Sequence, residues 1–158
     1  QAFSAEPYRD FPHVRALVAS LALETTVLVF HDRRLDGFDG HGVLKVDQLP
    51  LRKSFALAGA CDVLVAPDSS FVHFAAAVGV PCVALFGPID GRVRTKAYPA
   101  CTVIDARADL RCVPCWRNEV IPCRLTGRRG SVCMASIAVE HVHRTVRERL
   151  GEGRRSTA

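Results

Sequence analysis

The fold is decided by one stretch, Val63-Leu-Val-Ala-Pro-Asp-Ser-Ser-Phe-Val-His-Phe-Ala-Ala-Ala-Val-Gly-Val-Pro-Cys-Val-Ala-Leu-Phe-Gly-Pro88. Val63 to Ala66 is a short apolar run with β-branched residues, the pattern of a buried strand, and Pro67 ends it. Asp68, Ser69 and Ser70 are helix-capping types, and Phe71 to Val78 is apolar and Ala-rich, as a packed helix should be. Gly79 closes the helix, Val80-Pro81 leads into a second strand at Cys82 to Phe86, and Gly87-Pro88 breaks it. Two buried strands joined by a helix of this length make a parallel β-α-β crossover. Ligands of such sheets bind beyond the carboxyl ends of the strands. Asp68, Ser69, Ser70, Gly87 and Pro88 all fall at that edge.

A helix start carries unpaired N–H groups and the positive end of the helix dipole, so it is a seat for phosphate. Here the amides from Ser69 to Val72 would face the edge, with two hydroxyls beside them. Asp68 can accept hydrogen bonds from sugar hydroxyls, and His73 can turn back toward the same ligand. Phosphate beside sugar describes a nucleotide sugar. Asp-Ser-Ser is equally an ordinary helix cap, and a histidine on a packed helix is equally a structural one.

The same segment resembles the signature of the heptosyltransferase-type glycosyltransferases, family nine of the sequence-based classification. The residues that carry it are Asp68-Ser69-Ser70-Phe71-Val72-His73-Phe74-Ala75-Ala76-Ala77, then Gly79-Val80-Pro81, then Leu85-Phe86-Gly87-Pro88-Ile89-Asp90. Ser70 stands where the family usually has Gly, and Ile89 where it has Thr. The resemblance implies an α/β fold: a Rossmann-like parallel sheet flanked by helices, the C-terminal, donor-binding half of a two-domain GT-B transferase. It covers residues 1–150, with its specific part from Asp62 to Asp90. It implies transfer of a sugar, typically heptose, from a nucleotide diphosphate such as ADP-heptose to a glycolipid or protein acceptor, as in lipopolysaccharide assembly. Asp68, Ser69, Ser70, His73, Gly87 and Pro88 would then line the donor site. The general base belongs to the other half, an N-terminal acceptor domain or a partner chain, so these 158 residues by themselves are expected to be inactive.

Outward from this centre the chain reads as alternating helix and strand. Residues 1–23 read as helical through Phe11, Val14, Leu17, Val18 and Leu21. In the resembled family a strand with a basic phosphate loop comes before this helix and lies mid-sheet; no such strand is found here. Thr25 to Phe30 is a buried strand followed by His31-Asp32, and Asp32 is a candidate for a ribose hydroxyl, with a solvated loop carboxylate as the plain alternative. Val43 to Val46 is a short strand, Leu51 to Ala60 a helix, Thr102 to Ile104 a strand, and Ser136 to Leu150 a helix ended by Gly151. The polar tail 151–158 is expected to be disordered.

Seven cysteines divide into two groups. Cys61 and Cys82 fall in or beside apolar segments and read as packing residues, while Cys101 is undecided. Cys112, Cys115, Cys123 and Cys133 form a C-x-x-C pair followed by two more, within a Pro-, Gly- and Arg-rich stretch (residues 107–133) that lacks apolar periodicity. Such a stretch has little core, and four thiolates around a structural zinc or iron would order it. Two disulfides or four free thiols are the alternatives. Some members of the resembled family carry a four-cysteine iron site in this region, which favours iron.

Composition bounds the rest. About half the residues are apolar, enough for one domain with a proper core. A formal net charge of +5, with Arg107, Arg111, Arg117, Arg124, Arg128 and Arg129 in the second half, reads as a solvated basic face or as attraction for anionic substrates. Aromatic residues are few and no nucleic-acid motif is present. No apolar run spans a bilayer and no export signal opens the sequence, so the expected setting is the cytoplasm, with peripheral association at the inner face of a membrane left open. Two other functions remain: a non-catalytic binding or assembly domain, and a domain similar to sugar-nucleotide epimerases.

Overall fold

The computed structural model describes residues 7–156, with side chains through residue 151. Its elements are α1 (Val14–Leu21), β1 (Val27–His31), β2 (Val43–Asp47), α2 (Leu51–Gly59), β3 (Leu64–Pro67), α3 (Ser70–Val78), β4 (Cys82–Phe86), α4 (Gly91–Arg94), β5 (Cys101–Asp105), α5 (Val132–Ala135) and α6 (Val139–Ser156). Every strand pairing among the described residues is parallel. β4 is the middle strand of the ladder β3-β4-β5, and all five of its residues are buried. A strand covered on both faces must be apolar throughout, which is why Cys82 to Phe86 shows no alternation.

Helices cover both faces. One core packs α1 and α6 against Val29, Val83, Leu85 and Ile104, through Leu17, Leu21, Val142 and Val146. The other packs α2 and α3 against Phe30, Leu64, Ala66 and Ala84, through Ala58, Phe71, Val72 and Ala75. Phe55 stacks on Phe74 at 4.4 Å between ring centroids and meets Phe71 edge-on at 5.2 Å, which fixes α3 against α2. Gly79 ends α3 in the left-handed conformation at φ +76°, and the Val80 amide returns to the Ala75 carbonyl at 3.0 Å.

Three sequence expectations are corrected. The first helix does not fill residues 1–23: it starts at Val14, because Pro12 disfavours helical backbone at Phe11. Residues 1–6 of that span lie outside the described residues. The last helix starts at Val139, not Ser136, after the short α5, and it does not stop at Gly151. Gly costs a helix only about 1 kcal/mol, so helical backbone passes through it to Ser156 and replaces the expected disordered tail, of which residues 157–158 lie outside the described residues. The single sheet is, among the described residues, two ladders: β1-β2, and β3-β4-β5. No helix among them is long and apolar enough to cross a membrane.

Candidate functional site

The carboxyl edge of β3 and β4 is where the predicted residues meet. Asp68 follows β3 directly and is buried. Ser69 takes the N-cap position in extended backbone (φ −152°), but its hydroxyl makes no capping bond. Buried hydroxyls are normally satisfied, yet Ser69 Oγ has no hydrogen-bond partner, and neither has Asp68 Oδ2. Two buried oxygens without partners therefore stand side by side at the start of a nine-residue helix. Ser70 is exposed, with its amide in the first turn. The Val72 amide is already bonded to Ser69 O at 3.1 Å, so the expected seat narrows to the amides before it.

Arg9 reaches this point from 59 residues away. Its Nη1 donates to the Asp68 carbonyl at 3.2 Å, and its Nε lies 3.9 Å from Asp68 Oδ2, an ion-pair distance too long for a hydrogen bond. The guanidinium also lies over the Tyr8 ring, 4.9 Å from its centroid. A half-buried cation beside a helix N-terminus strengthens the site for an anion. Sequence reasoning missed Arg9, because only the fold brings it to Asp68.

Other candidates sit differently. His73 is exposed; its Nδ1 is 2.8 Å from Tyr98 Oη and its ring meets the Tyr98 ring edge-on, so it is held against the loop before β5. Asp32 is 78% exposed and pairs with His31 Nδ1 at 3.0 Å within its own loop. Gly87 and Pro88 are buried and face the cysteine stretch. A Cβ on Gly87 would stand 2.8 Å from Met134 Cγ and Sδ and 3.0 Å from Cys133 Sγ, and the Pro88 carbonyl accepts the Trp116 amide at 2.8 Å. The glycine is needed for close packing beneath the edge.

A second charged group stands at the ends of β4 and β5. Asp90 caps α4 by accepting from the Arg92 amide at 3.0 Å, and Arg107 Nη2 lies 2.9 Å from it. Arg107 also pairs with Asp105 at 3.6 Å. Partial burial works against the Asp90 charge, but Arg107 and the Arg92 and Val93 amides outweigh it and hold the carboxyl below its ordinary value. Arg107 is thus drawn into the edge, away from the solvated basic face expected of it.

Arg117 corrects that expectation further: it is 4% exposed. It donates to the carbonyls of Ile121 (2.7 Å), Arg129 (2.9 Å) and Gly130 (3.1 Å) and to Ser131 Oγ, while Ser131 in turn donates to the Tyr8 carbonyl. One buried guanidinium thereby orders the cysteine stretch, which sequence reasoning credited to a metal alone.

The four cysteines converge in part. Cys112 and Cys133 share a small apolar cluster with Val113 and Ala106. Burial pushes the Cys133 thiol up to about 11, and the nearby Cys115 and Cys123 sulfurs push in the same direction. Cys123 is brought below its ordinary value: slight burial opposes this, but the Leu125, Val132 and Thr126 amides point at its sulfur and outweigh it. Such N–H groups suit a thiolate donor. Among the described residues, however, no three His, Cys, Asp or Glu side chains come close enough to hold a metal ion. Away from this stretch, Cys101 lies opposite Cys82 across the β4–β5 ladder.

Residues 35–122, more than half of the sequence, match glycosyltransferase family 9 (heptosyltransferase). The chain belongs to that family. This sets aside the epimerase reading and supports a transferase. Among solved structures, the chain is similar to the ADP-heptose lps heptosyltransferase II of E. coli, at 21% identity and a TM-score of 0.71. The likeness covers 96% of this chain and 45% of that one, so the chain spans less than half the length of the transferase it resembles. At this identity the likeness establishes the shared fold. No curated protein matches the chain.

Proposed function

We propose that this chain is the donor-holding half of a sugar transferase, seating the diphosphate of a nucleotide sugar at the start of α3. The observation that carries the proposal is the pair of buried, unpartnered oxygens, Asp68 Oδ2 and Ser69 Oγ, beside the first-turn amides. The diphosphate would accept from the Ser70 and Phe71 amides and from Ser69 Oγ, and Arg9 adds positive charge. Asp68 would accept from sugar hydroxyls, which neither a phosphate nor a plain helix cap requires. Negative charge grows on the diphosphate as the sugar leaves, and fixed amides and a guanidinium stabilise it there. Gly87 and Pro88 support the floor from below. His73 positions the Tyr98 loop, and Asp32 has a place in the proposal only at the far end of the edge, toward the nucleoside.

ADP-heptose is the donor to test first. A glycolipid or protein acceptor and the base that activates it belong to an N-terminal acceptor domain or a partner chain. Titration calorimetry of ADP-heptose into this chain should give saturable one-to-one heat that Asp68→Asn and Ser69→Ala each weaken by about tenfold. Wild-type-like binding in both variants would refute the seat. The chain by itself should transfer no sugar, and measurable transfer would place the base within it.

Cys112, Cys115, Cys123 and Cys133 are the residues that would hold zinc or iron. The role is structural, because four thiolates leave no open coordination position. Elemental analysis should find about one metal per chain, absent from Cys115→Ser. A metal-free wild-type protein would end that part of the proposal.

A further inference from the structure

Between β1 and β3 no backbone hydrogen bond is made among the described residues, yet the two ladders share both cores. Val27 and Val29 of β1 face the same core as Val63 and Val65, while Leu28 and Phe30 face the same core as Leu64 and Ala66. The ladders are therefore in phase, as neighbours in one sheet are. The space between them is a cavity of about 450 Å³ lined by both strands, by Leu17 and Leu21 of α1, and by Val146 of α6.

The strand edges facing it are unsatisfied. The Val27 amide bonds the Gly42 carbonyl and the His31 carbonyl accepts from Gln48, so these residues point toward β2. By strand alternation, Leu28 and Phe30 point their amides and carbonyls into the cavity. The Leu64 amide bonds the Pro81 carbonyl, so Val65 likewise turns away from β4 and into the cavity. Buried backbone groups without partners are costly, and two parallel edges facing one apolar space form a template for a strand.

We propose that this cavity is a strand slot, filled by an apolar polypeptide segment that runs parallel to β1 and β3 and leads into Pro7. Three observations select that occupant. Lining residues on both faces call for a continuous apolar strand. Arg9 lies at Asp68, and α1 runs on into the amino end of β1, so the chain enters α1 at the carboxyl edge, where a parallel strand in the slot would end. Finally, β3 to β4 crosses over α3 on one face; a slot strand crossing to β1 over α1, on the opposite face and in the opposite direction, has the same right hand. The turn leaving the slot would lie between His31 and Asp68 and extend the donor edge. The inference rests on the sheet and stands whether or not a nucleotide sugar binds.

The test joins the segment Lys-Val-Val-Leu-Val-Val ahead of Gln1 of the full chain, with Lys-Pro-Val-Pro-Val-Pro as a control that cannot complete a ladder. Amide exchange is read at Leu28, Phe30 and Val65, and thermal unfolding alongside. The proposal expects the apolar extension to slow exchange at these three amides by about a hundredfold and to raise Tm by about 5 °C, with neither effect from the proline extension. The free apolar peptide, added to the unextended chain, should give the same protection saturably. Equal behaviour of the two extensions, with no protection by the free peptide, would overturn the proposal. So would an unextended chain that is a dimer with these amides already protected, because a second copy would then fill the slot.

Discussion

Gly87-Pro88 is a seam between two regions built on opposite principles. On one side, β3, α3 and β4 are local: each forms from its own apolar run, its own cap or its own terminating glycine. On the other, the stretch from Ala106 to Cys133 has almost no regular structure and is ordered by contacts distant in sequence, above all those of Arg117. The first region keeps polar atoms unsatisfied at its edge, and the second satisfies its polar atoms thoroughly. Unsatisfied buried groups mark where a ligand is awaited, and a satisfied network marks support.

The seam itself should be the most sensitive point. Gly87→Val drives a branched side chain into Met134 and Cys133 and should cost more than about 3 kcal/mol, read as a shift in the denaturant midpoint. Little change there would mean the two regions are not packed as one. Arg117→Met removes the guanidinium and leaves at least three buried carbonyls without their donor. We expect a loss of about 2–3 kcal/mol and raised amide exchange confined to residues 117–131, with β4 still protected. Exchange that rises equally in β4 would erase the distinction between the regions.

Asp90→Asn weakens the α4 cap and the Arg107 pair, for about 1 kcal/mol in thermal unfolding. The sign with pH follows from the lowered carboxyl. Its stabilisation is complete above the unfolded value near 4 and is lost as pH falls through the folded value, so wild type and variant should converge in stability below about pH 4. The smallest effect is the most telling for the site. Ser69→Ala should change stability by less than about 0.5 kcal/mol, because the hydroxyl makes no capping bond. A loss of the usual capping size, about 1 kcal/mol, would return Ser69 to a purely structural role.

The sequence shows the local region well and the distant one poorly. The crossover from Val63 to Pro88 was legible because the apolar runs, Pro67 and Gly79 act on their immediate neighbours. Asp68 and Ser69 were legible as an edge site for the same reason. Arg9 was not, since its approach to Asp68 depends on α1 packing across the sheet. Arg117 read as surface charge because its type favours solvent, and only the fold encloses it with carbonyls. Gly87 was placed at the pocket floor, but its reason, the side chains of Cys133 and Met134 pressed against it, lies 46 residues further on.

The central claim is that the start of α3 awaits a diphosphate. It is tested most directly by titrating ADP into the isotopically labelled chain and following backbone amide shifts by NMR. The account predicts the largest saturable shifts at Ser69, Ser70 and Phe71, strongly reduced in Arg9→Gln. Saturable shifts centred elsewhere, or none around Asp68 at millimolar ADP, would contradict it.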